Sequence, residues 1–262
     1  MKKNKRPTIG LALGSGGSRG LAHIGIIKVL EAHGIPIDFI AGSSIGSMIG
    51  GFYASGMNIQ NIEDIALKAN WRQIFSMVDP HLGSGLIGGK KVSSFIESKI
   101  KGKTIEDCLI PFVAVATDLK NGEAVILNRG DMVKAIRASI SIPLVFKPVI
   151  IDGRLLADAG LSAPVPVDIV RSMGADIVIA VNLDRHYHVE KRKFAWYDLA
   201  NNSLDVLRHN LALANVKNAD IVIDIDVGKN YWYQFVNGQD KVLAGEQAAL
   251  KILPQLDLLM NK

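Results

Sequence analysis

Short apolar runs rich in β-branched residues alternate along this chain with longer segments in which apolar residues recur every three or four positions. The first run, residues 8–13, predicts a strand. Apolar positions at helical spacing from Leu21 to Leu30 then predict a helix over residues 19–32, which Gly34 ends. Strands that alternate with helices in this way are typical of crossover connections in an α/β sheet.

The same alternation continues to the end of the chain. Further strands are predicted at residues 35–41, 111–116, 124–127, 149–151, 154–157, 177–181 and 221–225, and further helices at 45–55, 59–69 and 199–215. Several of these strands are apolar throughout, as in parallel sheets that are buried on both faces. We therefore expect an α/β fold, a three-layer sandwich with a mostly parallel central sheet covered by helices on both faces.

Composition favours one soluble globular domain over residues 1–262. The chain is 48% hydrophobic and 21% charged, and no Pro/Gly/Ser-rich linker divides it. Residues 39–62 carry no charge, but they contain seven Ser, Asn and Gln residues and no Leu, which disfavours a membrane span. The single cysteine, Cys108, excludes an internal disulfide, so a reducing, cytoplasmic location is expected.

Two short segments carry essentially all of the net charge of +5. Their bases are Lys2, Lys3, Lys5 and Arg6 near the start, and Arg185, Lys191, Arg192 and Lys193 later in the chain. We interpret residues 1–7 as a basic N-terminal tail and residues 185–197 as a mobile loop. With few aromatics interleaved, neither segment resembles a nucleic-acid face, although both could contact an anionic membrane surface from the periphery.

The motif GSSIG at residues 42–46 has the form G-x-S-x-G and lies between a predicted strand and a predicted helix. Small residues there permit a tight, strained turn that presents a serine hydroxyl at the carboxyl edge of the sheet. The frame selects Ser44, because Ser43 would need glycines where Ala41 and Ile45 stand. Ser44 is therefore a candidate nucleophile, and the alternative interpretation is a helix N-cap beside close-packed glycines.

A second match, GGSRG at residues 16–20, leaves Ser18 open as a nucleophile on pattern alone. The run from Ser15 to Gly20 is better suited to an anion, since consecutive glycines ahead of a helix let several N–H groups converge, with Arg19 nearby. Nucleotide-binding fingerprints need glycine where Arg19 stands. Phosphate binding and a purely structural turn both stay open for this loop.

Asp158 follows the predicted strand 154–157, in the motif DAG at residues 158–160. A carboxylate among small and apolar residues is partly desolvated, which raises its pKa and makes it a better base. An Asx-turn or a helix N-cap would explain the same residue without catalysis. Asp152, followed by Gly153, instead indicates a tight hairpin turn.

Together, GSGGSRG at residues 14–20, GSSIG at 42–46 and DAG at 158–160 resemble the patatin-like phospholipase family. They are most similar to its bacterial single-domain members, which are related to the catalytic domain of neuropathy target esterase. The resemblance continues through LAHIG at 21–25, ATDL at 116–119, RAS at 137–139, IP at 142–143 and MGAD at 173–176. Several motifs in a fixed order are far more specific than any one of them.

The resemblance implies a serine lipid acyl hydrolase of phospholipase, lysophospholipase or carboxylesterase type, acting through a Ser44–Asp158 dyad on a lipid acyl ester. It also implies an oxyanion hole at Gly16, Gly17, Ser18 and Arg19, and motif glycines at Gly42, Gly46 and Gly160. Two residues depart from the family pattern. Ser15 stands where the first glycine often is, and Ala159 occupies the middle of a motif usually written D-G-G or D-G-A, where a positive φ would cost about 1–2 kcal/mol.

Two other functions stay open. His186, His188 and His209 follow Ser44 and Asp158 in the order of an α/β-hydrolase triad. The same loop could also serve a non-catalytic lipid-binding or anion-binding module. No cluster with metal-ligand spacing appears in the sequence, so no cofactor is expected.

Overall fold

The computed structural model describes residues 6–69, 89–185, 196–227 and 235–261, and only the backbone of 196–198. Its sheet has the strand order β5-β6-β3-β2-β1-β7-β8, and β4 pairs with β3. The strands are β1 (Ile9–Leu13), β2 (Phe39–Ser43), β3 (Phe112–Asp118), β4 (Ala124–Leu127), β5 (Val149–Ile151), β6 (Arg154–Ala157), β7 (Ile177–Asn182) and β8 (Ile221–Asp224). From β3 to β8 along this order every pairing is parallel, whereas β4, β5 and β6 pair antiparallel.

The register of β3 explains how two distant parts of the chain meet. β4 and β6 both pair with Thr117, so they lie on opposite sides of β3. β2 and β4 both pair with Val115, so they too lie on opposite sides. β2 and β6 therefore share one side of β3 and run towards each other. The chain leaves β2 at Ser44 and β6 at Asp158, beside the same stretch of β3.

Helices cover both faces of the sheet. Those within the described residues are α1 (Ala22–Ala32), α2 (Ile45–Ala54), α3 (Ile59–Lys68), α4 (Lys90–Ile100), α5 (Met132–Ser139), α6 (Val167–Ser172), α7 (Trp196–Asn215) and α8 (Gly238–Met260). Alternate strand residues face different layers. Leu11 packs in a large cluster with residues of α1, α2 and α8, and its neighbour Ala12 packs with Val170 of α6 and Ala212 of α7. The predicted three-layer α/β architecture is confirmed.

The structure differs from the predicted elements in four respects. Residues 35–38 are not part of β2, because the Ile35 N–H donates to Leu30 O to close α1 and Pro36 has no N–H. The predicted helix over 19–32 begins as a separate 3₁₀ turn, Gly17–Leu21. The helix predicted at 199–215 starts at Trp196, and α4, α5, α6 and α8 were not predicted.

Smaller expectations can also be compared with the structure. Asp152 (φ 49°) and Gly153 (φ 75°) form the two-residue turn of the β5–β6 hairpin, as predicted. Arg6, expected in a basic tail, forms a bidentate ion pair with Asp38, both contacts at 2.7 Å. Arg185 pairs with Asp224, whereas Lys2, Lys3, Lys5, Lys191, Arg192 and Lys193 lie outside the described residues. Within the described ranges, no helix is long and apolar enough to cross a membrane.

Candidate active site

Ser44 occupies a strained backbone turn between β2 and α2. Its φ of 55° and ψ of −123° form a combination that residues with a side chain rarely adopt. The turn needs both motif glycines. A Cβ on Gly42 would lie 2.4 Å from Ser47 Cα, and one on Gly46 would lie 2.2 Å from Leu13 O. The G-x-S-x-G spacing therefore reflects backbone contacts that exclude larger residues on either side of Ser44.

The structure brings Ser44 and Asp158 together. Ser44 Oγ donates a hydrogen bond of 2.7 Å to Asp158 Oδ2, and the N–H of Gly160 donates one of 2.7 Å to Oδ1. The second contact is the Asx-turn that the sequence also allowed, so Asp158 makes this turn and still contacts Ser44. A Cβ on Gly160 would lie 2.9 Å from Asp158 Oδ1, which explains the glycine at that position.

Burial raises the pKa of the Asp158 carboxyl from 3.8 to about 6. Asp158 is 6% exposed, so the ionised form loses most of its hydration. The hydrogen bonds from Ser44 and Gly160 and the charge of Arg208 lower this pKa, but by less than burial raises it. A carboxylate with a pKa near 6 is ionised at neutral pH and is a stronger base than an exposed one.

One short segment at the end of α5 supports both residues. The N–H of Ser44 donates to Ser139 Oγ at 2.9 Å, and the N–H of Asp158 donates to Ser141 O at 3.0 Å. The Arg137 guanidinium in turn donates to Ser141 Oγ at 2.6 Å. Residues 139–141 therefore fix the position of Ser44 relative to Asp158.

The glycine-rich loop lies against the Ser44 turn. A Cβ on Gly20 would lie 2.3 Å from the side chain of Ile45, the residue after Ser44. Gly17 has a φ of 56°, and the N–H groups of Gly16 and Gly17 donate no hydrogen bond within the part of the chain that the structure describes. Two unpaired N–H groups beside a serine turn have the chemistry of an oxyanion hole.

The four predicted oxyanion residues differ in what they can donate. The Arg19 N–H is already bonded to Gly16 O at 3.2 Å, and its side chain donates to Asp184, so Gly16 and Gly17 are the better candidates. Ser18 lies within the 3₁₀ turn Gly17–Leu21 and is fully buried. Of the two serines that satisfy G-x-S-x-G, Ser44 is the one that contacts Asp158.

Neither departure from the family pattern distorts the backbone. Neither Ser15 nor Ala159 is among the residues with positive φ. Ala159 begins the 3₁₀ turn Ala159–Leu161 and is fully buried, so its methyl group fits without strain. Ser15 Oγ donates to Asp184 Oδ2 at 3.0 Å, a contact that glycine could not make.

The described histidines bond to backbone carbonyls. His23 Nε2 lies 2.8 Å from Gly14 O, His33 Nδ1 lies 2.8 Å from Val29 O, and His209 Nδ1 lies 2.5 Å from Asp184 O. Burial lowers the pKa of His23 to about 4, so this ring is neutral. His186 and His188 of the alternative triad lie outside the described residues.

Three residues of this site were not predicted from the sequence: Ser139, Asp184 and Arg208. Ser139 stands in the RAS motif, but nothing in the pattern identifies Ser44 as its partner. Asp184 comes just after β7 and therefore lies at the same sheet edge as Ser44, which was an available signal. Arg208 lies within α7 with no local signal. No group of three or more His, Cys, Asp or Glu residues able to hold a metal ion occurs in the described ranges.

Comparison with known proteins points to one family. A family model described as patatin-like phospholipase matches residues 11–171. An NTE family protein of Mycobacterium bovis is 40% identical over 185 residues, which cover 70% of this chain and 51% of that protein. A lysophospholipase of Scheffersomyces stipitis is 38% identical over 182 residues, 67% of this chain and 12% of that protein. The chain thus spans about half the length of the mycobacterial relative.

Solved structures show the same fold. VipD from Legionella pneumophila superimposes with a TM-score of 0.58 at 15% identity, over 96% of this chain and 67% of that one. The type III effector ExoU superimposes with a TM-score of 0.52 at 12% identity, over 98% of this chain and 54% of that one. At these identities the likeness concerns the fold alone.

Proposed function

Because this chain belongs to the patatin-like phospholipase family, we propose that it hydrolyses acyl esters of lipids, with Ser44 as the nucleophile and Asp158 as the general base. Membership of the family, with relatives named as lysophospholipases, supports a lipid hydrolase. The 2.7 Å hydrogen bond from Ser44 Oγ to Asp158 Oδ2 is the observation that carries the finer assignment.

In the first half of the reaction, Ser44 Oγ attacks the ester carbonyl carbon while Asp158 accepts its proton. The carbonyl oxygen becomes an oxyanion, to which the N–H groups of Gly16 and Gly17 donate. The tetrahedral intermediate then expels the alcohol, which takes the proton from Asp158. An acyl group remains on Ser44.

In the second half, a water molecule attacks the acyl carbon and gives a proton to Asp158. The intermediate releases the fatty acid, and the proton returns to Ser44 Oγ. Both halves need an ionised Asp158 at the start, so activity should rise with pH through the pKa of about 6. A two-residue arrangement of this kind needs no histidine.

Three ester classes fit this chemistry: phospholipids, lysophospholipids and simpler carboxylic esters. The fungal relative is named a lysophospholipase. A lysophospholipid presents a single acyl chain and is therefore the first substrate to test.

The test compares three variants on a short-chain aryl ester and on a lysophospholipid. Ser44→Ala and Asp158→Asn should each lower kcat by several orders of magnitude, because a nucleophile and its base act as a unit. Ser18→Ala, which changes the other serine in a G-x-S-x-G frame, should retain a substantial fraction of activity. An inactive Ser18→Ala beside an active Ser44→Ala would reverse the assignment.

A further inference from the structure

Asp184 joins the glycine loop to α7 at the edge of the candidate site. Its side chain is 4% exposed and accepts hydrogen bonds from Ser15 Oγ at 3.0 Å, Arg19 Nη2 at 2.5 Å and Arg208 Nε at 3.0 Å. Its own N–H donates to Asn182 Oδ1 at 3.0 Å, which fixes the residue to the end of β7. A buried carboxylate with three donors and two cationic partners is stably ionised, and these partners lower its pKa although burial raises it.

The two loop donors stand on either side of the free N–H groups. Ser15 precedes Gly16 and Gly17, and Arg19 follows them, so one carboxylate holds both ends of this short segment. The glycines have no side chains to hold them, and Gly17 has a φ of 56°. Their geometry depends on contacts made by their neighbours.

We propose that Asp184 is a positioning residue for acyl transfer, clamping the glycine loop from both ends so that the Gly16 and Gly17 N–H groups stay directed at the reacting carbonyl. This inference rests on the proposed function, since it gives these N–H groups an oxyanion role. Asp184 touches no reacting atom and acts only through the loop and Arg208.

Arg208, the third partner of Asp184, also acts on the general base, Asp158. Arg208 packs against Gly160, where a Cβ would lie 3.0 Å from Arg208 Cδ, and its charge lowers the pKa of Asp158. The charge of Asp184 raises the same pKa. Asp158's other described hydrogen-bond partners are uncharged. They come from the turn after β2, from β3, from the segment after α5 and from the turn after β6: Ser44, Thr117, Ser141, Gly160 and Leu161.

The other charged groups packed around this cluster have partners other than Asp158. Arg208 also pairs with Asp205 at 3.0 Å, and Lys241 of α8 faces Arg19. The His209 ring bonds to the Asp184 carbonyl, and Arg137 of α5 bonds to Ser141. Asp118 of β3 accepts the N–H of Lys120. Arg208 and Asp184 are therefore the charges whose removal should change Asp158 directly.

The test measures kcat, KM and the pH profile of kcat/KM for Asp184→Asn and Arg208→Gln. Asp184→Asn should lower kcat about 10- to 100-fold and leave KM nearly unchanged, because the alignment of the Gly16 and Gly17 N–H groups matters in the transition state. Loss of a whole oxyanion donor lowers kcat by about 10²- to 10³-fold.

The acid limb of the pH profile should move to lower pH in Asp184→Asn, which removes a negative charge near Asp158, and to higher pH in Arg208→Gln, which removes a positive one. Each shift should be about one pH unit. General loosening of the fold would not produce opposite shifts.

Asp220→Asn is the matched control. It also removes an Asp–Arg ion pair, that of Asp220 with Arg171 at 2.5 Å. Asp220 precedes β8 at the amino edge of the sheet, whereas Asp184 follows β7 at the carboxyl edge. Its kcat and the acid limb of its pH profile should match the wild type.

Two results would overturn the clamp: a wild-type kcat in Asp184→Asn, or acid limbs that move in the same direction in Asp184→Asn and Arg208→Gln. If Ser44→Ala is inactive in the same experiment, the proposed function still stands. Hydrolysis that persists in Ser44→Ala would overturn the function itself.

Discussion

Ser44 Oγ and Asp158 Oδ2 lie 2.7 Å apart although 114 positions separate the two residues in the chain. The contact follows from two strands that share one side of β3 and run towards each other, so that the turn after β2 meets the residue after β6. The antiparallel β5–β6 hairpin is therefore part of the site, since it reverses the chain and directs Asp158 at Ser44.

Asp158→Asn should stabilise the protein while it removes activity. A carboxyl whose pKa rises from 3.8 to about 6 on folding destabilises the folded state as pH increases through that window. Asparagine keeps the shape and carries no charge. The free energy of unfolding should match the wild type below about pH 4 and exceed it by up to about 3 kcal/mol above pH 6, measured by urea denaturation. A variant that is less stable than the wild type at pH 8 would contradict this account of the pKa.

Ser139→Ala should damage both stability and rate, because it leaves the N–H of Ser44 buried without its acceptor. We expect a loss of about 1–3 kcal/mol in the free energy of unfolding, together with a lower kcat. The matched control is Ser98→Ala, whose hydroxyl donates to Phe95 O at an exposed position of α4. That control should stay within about 0.5 kcal/mol of the wild type. Equal effects of the two changes would mean that Ser139 does not support the strained turn.

Single alanine replacements of His186, His188 and His209 should each retain activity within about tenfold, because a serine–aspartate pair needs no imidazole. In a Ser-Asp-His triad, by contrast, loss of the histidine base costs several orders of magnitude in rate. Circular dichroism would establish that each variant is folded. A loss of three or more orders of magnitude in any folded variant would instead favour the α/β-hydrolase triad.

The basic segments lead to a prediction about membranes. Lys2, Lys3 and Lys5 precede Arg6, whose pair with Asp38 lies at the amino edge of the sheet. Near an anionic surface each base contributes about 1 kcal/mol. Replacing the three lysines with glutamine, or adding salt, should therefore slow hydrolysis of anionic vesicles and leave hydrolysis of a soluble neutral ester unchanged. Equal salt dependence for both substrates would remove the membrane role.

The sequence predicted those parts of the site in which backbone geometry limits the choice of residue. Gly42 and Gly46 are required by contacts shorter than 2.6 Å, so the Ser44 turn leaves a readable pattern. The pairing of Asp184 with Arg208 leaves no such pattern, because it is set by how α7 packs on the sheet, and local spacing carries no information about that. By contrast, α5 has an N-cap that the sequence shows: the side chain of Asp131, just before the helix, accepts the Lys134 N–H.

The central claim is that Ser44 is a nucleophile activated by Asp158. It is tested most directly by labelling the protein with a fluorophosphonate and locating the modified serine by peptide mass spectrometry. The account predicts one label, on Ser44, absent from Ser44→Ala and formed far more slowly in Asp158→Asn. A label on Ser18, or no label on Ser44 in folded wild-type protein, would contradict it.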